Sequence, residues 1–323
     1  MALAISDVHL SHTPPRARAN EPDWYAVMAR QLDELIELAR EFNAWIVIAG
    51  DLFDRWNSPP ELINFALSYF VDYPRVLMIP GQHDLPNHRL DEVHRSAYWA
   101  VARHTQPIIP HAGYLFDWGS ETSPAFICEG YPFGAKRVPI SFTPTATYGD
   151  RPVIALFHDF VWRKKEIPYQ GAPVEKSLAR RKDFYEFARA GYRYLICGDN
   201  HQRFHHDFKL PPKAPPCTLI NCGSFFRRQA SDPYHPGVWC LTTRDALFLP
   251  LLSALEDRPL LQRHDPPSTA MVDGITHFVQ QLVDPTLESV DFSTLLERVR
   301  QSCSGRVVEL LKEWLDAVHH QRP

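Results

Sequence analysis

Five short apolar runs in this chain each stop abruptly at Asp, His or a side-chain amide, and that arrangement restricts the fold more than any other feature. The runs start at Ala2, Trp45, Arg75, Val153 and Tyr192. They empty in turn into Asp7-Val8-His9, Gly50-Asp51-Leu52-Phe53-Asp54-Arg55, Gly81-Gln82-His83-Asp84, His158-Asp159 and Gly198-Asp199-Asn200-His201. Runs of this length bounded by turn residues read as buried strands. Between the first three, apolar residues recur at helical spacing over 23–42, with Asp23 a candidate cap, and over 60–70, behind Pro59 and Pro60. Strand and helix in alternation predict parallel βαβ units and an α/β class. The middle of the chain, 108–140, is broken by Gly and Pro and reads as more antiparallel. Strands over 218–221 and 238–242 complete the expected set.

In a layered α/β fold the carboxyl ends of the strands meet at one edge, where ligand sites form. Five strands would then deliver carboxylates and imidazoles into one crevice. Oxygen and imidazole donors suit Mn²⁺, Fe²⁺, Zn²⁺ or Mg²⁺, and a carboxylate can bridge two such ions about 3.5–4 Å apart. Asp-x-His puts two side chains on one side of an extended segment, since alternate residues share a face. Each piece also has a plainer reading. Asp54 fits a helix cap, His83 and His158 fit satisfied buried histidines, and Asp199 and His201 fit loop residues, as His205 and His206 do. Taken together, five buried strands ending in ligand chemistry favour a two-metal site.

Composition narrows the alternatives. The 323 residues carry 34 Lys+Arg against 38 Asp+Glu, a net charge of −4, which excludes a uniformly basic polyanion-coating protein but not a local basic groove. Six Cys without a Cys-x-x-Cys pair fit reduced thiols and a cytoplasmic setting. No apolar run approaches the roughly 18 residues of a membrane span, and no secretory signal pattern opens the chain. Pro and charge accumulate after Glu256 (Pro259, Pro266, Pro267), predicting a linker over 256–270 between a domain of 1–255 and a small helical region of 271–323. That last region shows periodic Leu295, Leu296 and Val299, then Val308, Leu311, Leu315 and Val318, with Trp314 on the stripe. It either packs on its own domain or docks a partner.

The ordered set Asp-x-His, Gly-Asp-x-x-Asp, Gly-Gln-His-Asp, a lone His, and Gly-Asp-Asn-His resembles the signature of the calcineurin-like metallophosphoesterase superfamily, from Ala2 to about Thr242. The resemblance implies a β-sandwich flanked by helices and two divalent metal ions, most simply Mn²⁺. It implies Asp7, His9 and His201 as ligands of one ion, and Asp51 as the bridging carboxylate. Gln82, His158 and Asp199 would serve the other ion, a metal-bridging hydroxide would attack phosphorus, His83 would meet the phosphate and the leaving oxygen, and Asp84 would orient His83. The chain departs from the family pattern twice: Gln82 stands where Asn is usual, and Asp199 where the first His of Gly-His-x-His is usual.

Within the superfamily the opening Ala4-Ile5-Ser6-Asp7-Val8-His9-Leu10, the Asp51 segment and Asn221-Cys222-Gly223-Ser224 are similar to SbcD-type nucleases that process DNA ends, particularly their phage-like branch. That implies DNA as substrate, an SbcC-like ABC-type ATPase as partner, a homodimer, and bacterial or phage origin. Arg55 and the clusters Arg163-Lys164-Lys165 and Arg227-Arg228 are candidate phosphate contacts, with Trp162, Phe225 and Phe226 as candidate stacking platforms. The rival readings are a phosphoesterase acting on a nucleotide, phosphoprotein or lipid pyrophosphate, and a scaffold whose metal site has weakened.

Overall fold

Parallel strands cannot be joined by tight turns, so each needs a crossover. In the computed structural model, β1 (Ala2–Ile5), β2 (Trp45–Ala49) and β3 (Val76–Ile79) run parallel, connected through α1 (Trp24–Glu41) and α2 (Pro60–Phe70). The structure describes residues 1–105, 114–117, 126–139, 151–163, 172–229, 232 and 235–260. One compact unit comprises Met1–Ala39 and Ala44–Leu261. The second, Arg40–Asn43 with Gln262–Pro323, falls outside the described residues except for its first segment, so the expected helices of the tail also lie outside them.

Within the first unit the remaining elements are α3 (Ala97–Ala102), β4 (Tyr114–Asp117), β5 (Ile127–Tyr131), β6 (Val153–His158), α4 (Lys182–Arg189), β7 (Tyr194–Gly198), β8 (Phe204–Asp207), β9 (Thr218–Asn221), β10 (Gly237–Leu241) and β11 (Ala246–Pro250). They form two mixed sheets, ordered β11-β10-β1-β2-β3 and β4-β5-β6-β7-β9-β8. β5, β6, β7 and β9 are mutually parallel, and the antiparallel β4 and β8 close the two edges of their sheet. Among the described residues the middle of the chain is thus antiparallel only at β4–β5. His205 and His206, read from sequence as loop residues, lie on β8, where burial of Phe204 and pairing to β9 hold them. β11 has no counterpart in the sequence reading, because its Pro250 argues against a strand; it lies at the sheet edge, where Pro is tolerated.

The sheets share one core. Ala2, Ala4, Val47, Ala49, Leu77 and Ile79 of the first face Phe126, Cys128, Ile154, Leu156, Ile196 and Ile220 of the second. Small residues on β1 and β2 meet large ones opposite, which keeps the layers close. Strand alternation sends Leu3, Ile46, Ile48 and Met78 to the other side, all fully buried. α1 buries Val27, Met28, Leu32, Leu35 and Ile36 along one stripe. The second sheet's outer face packs Phe157, Leu195 and Leu219 against Phe184 and Phe187 of α4. Each such side chain contributes about 2 kcal/mol on burial. The result is a β-sandwich flanked by helices.

Two polar clusters fix the segments nearest the strand ends. Asp159, just past β6, accepts from Lys176 Nζ at 3.0 Å, Arg181 Nη2 at 2.6 Å, and Arg137. The segment after β11 is strapped to α1: Glu34 accepts from the backbone of Leu252 and Ser253, and Asp257 pairs with Arg30 and the buried Arg18. The stretch read as a linker therefore begins with anchored residues at Glu256–Arg258.

Burial would raise the Asp159 carboxyl, but Arg181, Arg137 and Lys176 outweigh it and hold it below its ordinary value. A depressed carboxylate adds stability above its unfolded pKa of about 3.9 and loses it as pH falls. Asp159→Asn is expected to lower unfolding free energy by about 2 kcal/mol at pH 7, with the difference shrinking below about pH 4, in urea titrations across pH.

Candidate metal centre

The strand ends do not all continue smoothly; the backbone turns over after β1, β2 and β7. Asp7 (φ 51°), His9 (φ 48°), Asp51 (φ 53°) and Asp199 (φ 77°) all adopt the left-handed region that non-glycine residues avoid. Such positions cost roughly 1–3 kcal/mol each and persist only where neighbours fix them. Here they are fixed: Asp7 N–H donates to the Gly50 carbonyl at 3.1 Å and His9 N–H to the Asp51 carbonyl at 2.9 Å. The Asp199 N–H donates to Asp7 Oδ1 at 3.0 Å. Glycine at 81 is a matter of space, and at 50 of space and of a left-handed backbone (φ 92°) as well. A Cβ on Gly50 would fall 2.1 Å from His158 Nδ1, and one on Gly81 would fall 2.2 Å from Asp51 Oδ1.

The turned segments bring their side chains together. Asp7, His9 and His201 present donor atoms within 4.8 Å of one another, and so do Asp7, Asp51 and His158, and also His9, Asp54 and His83. Asp7, His9, Asp51 and His158 are buried. His9 Nε2 lies 3.2 Å from His201 Nε2 and 3.7 Å from Asp51 Oδ2. His158 Nε2 lies 3.3 Å from the same Asp51 oxygen.

These contacts demand a positive charge between them. The His158 Nδ1–H donates to the Ala49 carbonyl at 2.7 Å, so in the neutral ring Nε2 carries a lone pair facing a carboxylate. His201 uses Nδ1 on Asp232 Oδ1 at 3.2 Å, which leaves its Nε2 to face His9. Asp51 Oδ2, His158 Nε2, His9 Nδ1 and Gln82 Oε1 are buried with no hydrogen-bond partner among the described residues. Lone pairs pointed at one another repel unless a proton or a cation sits between them.

Protonation follows the same logic. At His158 burial opposes a charge, yet Asp51, Asp7 and Asp199 overcome it and hold the imidazole well above its ordinary value. At His201 burial is likewise outweighed, by Asp232 and Asp7. Burial drives His9 well below its ordinary value, and Asp51 only partly opposes this. Burial raises Asp7 to about 6 against the pull of His201 and His158. Asp51 goes the other way: burial would raise it, but His158, His9 and His83 together hold it far below the usual carboxylate range. A proton here stands where a divalent cation would, and the mixed oxygen and imidazole donors suit Mn²⁺, Fe²⁺ or Zn²⁺.

The model of the calcineurin-like phosphoesterase family matches residues 2–203, which spans every one of these donors except the loop of Asp232. The chain is a calcineurin-like phosphoesterase. A search of the curated proteins finds no match. Membership makes this phosphoesterase a metal-dependent hydrolase of phosphoester bonds, and its clustered donor groups suit a dinuclear site.

Several residues expected at the site of this phosphoesterase sit otherwise. Asp84 makes no direct hydrogen bond to the His83 side chain among the described residues. It is fully buried and accepts from Leu52, Phe53 and Gly81 N–H at 3.1, 2.9 and 2.9 Å, clamping the loop that carries Asp51. Burial and the Asp51 charge push its carboxyl up to about 7 despite those three donors. His83, which is exposed, instead donates Nδ1–H to the Asp54 carbonyl at 2.9 Å. Asp199 belongs to none of the three donor groups; its Oδ1 accepts from Gln82 Nε2 at 2.6 Å. Arg228 does reach the site, pairing with Asp54 at 2.9 Å. Arg55 is exposed on the same turn. Arg163 stacks on Phe204 and donates to the His205 carbonyl, which ties it to β8, and the Arg227 carbonyl accepts from Arg18. Lys164 lies outside the described residues. Trp162, Phe225 and Phe226 are all buried, the last against Trp24, so none is a stacking platform.

Two residues went unread. Asp54 had a signal in Gly-Asp-x-x-Asp, but a helix cap explained it equally well. Asp232 had none: it sits in an irregular loop, where it accepts from Arg228 and Gln229 N–H as well as from His201. A carboxylate behind a ligating histidine fixes its tautomer, and losing it costs roughly 10–100-fold in metal affinity. Asp232→Asn is expected to weaken Mn²⁺ binding by about tenfold or more. Calorimetric titration of the folded variant measures it.

Proposed function

We propose that this phosphoesterase is a two-metal phosphodiesterase that cleaves DNA, a nuclease subunit of the SbcD type. The supporting observation is that Asp7, His9, Asp51 and His158 are buried while His83, with its ring 4.9 Å from that of His9, is exposed. A phosphodiester within a long chain can approach such a histidine from solvent. Arg55 and Arg228 flank it through the Asp54 turn, and cationic side chains there attract a backbone phosphate without reading sequence. The motif resemblance supplies the rest: an SbcC-like ATPase and a second copy of the chain as partners, Mn²⁺ as the cation, and a cytoplasmic setting. No helix among the described residues is long and apolar enough to cross a membrane.

Asp7, His9, Asp51 and His201 would hold one cation, and Asp51, His158 and Gln82 the other. Bound there, the pair would supply Lewis acidity toward the phosphate oxygens and a water acidic enough to react near neutral pH. The protein's own groups do the remainder. The Asp54 carbonyl holds His83 by Nδ1–H and leaves Nε2 unengaged, so that the imidazolium form of the ring would give its Nε2 proton to the departing sugar oxygen and return to the neutral Nδ1–H tautomer. Asp84 keeps the Gly81 and Asp51 loops in register, which fixes His83 relative to Asp51, whose Oδ1 accepts the His83 N–H at 2.9 Å.

End-labelled linear single- and double-stranded DNA incubated with Mn²⁺ tests the reading. Degradation is expected from the wild type; His83→Ala should slow it about 100-fold or more while still binding metal. Asp51→Ala should lose both activity and metal. Hydrolysis of bis(p-nitrophenyl) phosphate without cleavage of either DNA, with the ATPase partner present, would overturn DNA in favour of a small phosphodiester.

A further inference from the structure

The two positions at which this chain departs from the family pattern touch each other. Gln82 follows β3 and Asp199 follows β7, on different sheets and 117 residues apart, yet Gln82 Nε2 donates to Asp199 Oδ1 at 2.6 Å. We infer that they work as one unit, in which Asp199 is a positioning residue for Gln82 rather than a metal ligand. The inference rests on the metal-dependent reading of the site but not on DNA as substrate.

The chemistry of the pair fixes its orientation. A carboxylate only accepts, so the amide must turn its NH₂ toward Asp199 and its oxygen away. That oxygen, Gln82 Oε1, is buried and has no hydrogen-bond partner among the described residues. A free amide carries donor and acceptor ends of nearly equal size and settles either way round. Asp199 removes that ambiguity and leaves an oxygen donor ready for a hard cation. The extra methylene of Gln over Asn is what lets one side chain span both tasks, and the left-handed backbone at Asp199 (φ 77°) brings the carboxylate to it.

A double-mutant cycle on Mn²⁺ binding, followed by calorimetry and by the manganese spin-resonance signal, separates a positioning role from ligation. Glycine tolerates the backbone at 199, so Asp199→Gly deletes the carboxylate without strain. We expect Gln82→Ala and Asp199→Gly each to weaken one of two bound ions by about 10–100-fold, and the double variant to be no worse than Gln82→Ala. Asp199→Asn keeps an acceptor oxygen and a residue suited to positive φ, and should hold the affinity within about threefold of wild type. Losses that multiply in the double variant would make Asp199 an independent ligand and overturn the inference, as would an Asp199→Gly protein that binds both ions normally. A folded wild type that binds no Mn²⁺ would sink the metal reading itself, and the inference with it.

Discussion

Asp51 has one carboxylate oxygen committed to the protein and one withheld from it, and the rest of the site is arranged around that division. Its Oδ1 accepts the His83 N–H, while its Oδ2 is buried without a hydrogen bond and faces His158 and His9. A carboxylate in that position is costly unless positive charge compensates it. The protein supplies much of the compensation through His158, whose imidazole is held well above its ordinary value, and the same field suits a divalent cation. Asp51 stays ionised because of those rings, and His158 charges because of Asp51.

Holding Asp51 there takes several unfavourable choices elsewhere. Its own backbone and those of Asp7, His9 and Asp199 are turned into a region that costs free energy, and glycine is required at 50 and 81 to admit His158 and Asp51 side chains. Asp84 offsets part of this. A fully buried carboxylate, raised to about 7 by burial and by Asp51, it satisfies three N–H groups of the surrounding loops that would otherwise be orphaned. Local rules are broken at the strand ends and kept in the two sheets behind them, as expected where a rigid scaffold carries a strained site.

Much of this was legible in the sequence. The run of Asp, His, Gly and amide residues after β1, β2, β3, β6 and β7 marked the residues that the fold gathers into one cluster, because ligand chemistry is a property of residue type and strand ends are marked by local pattern. Asp84, Asp54 and Asp232 show where the pattern runs out. Asp84 lies beside His83 in sequence, but its side chain points back to Gly81, Leu52 and Phe53, whose N–H groups need it more. Phe225 and Phe226 look like stacking residues beside two arginines, yet the core takes both.

The class of fold, the alternation that makes parallel strands, and a pool of candidate cation donors can be read from sequence alone, since each is written in local periodicity and side-chain chemistry. Only the tertiary structure decided which groups answer one another: Gln82 with Asp199, His201 with Asp232, His83 with the Asp54 carbonyl, Arg228 with Asp54. All four pairings join residues at least 29 apart in sequence, and the first also crosses between the sheets. Such contacts depend on how two packed sheets bring their strand ends to one edge, and no local pattern encodes that distance.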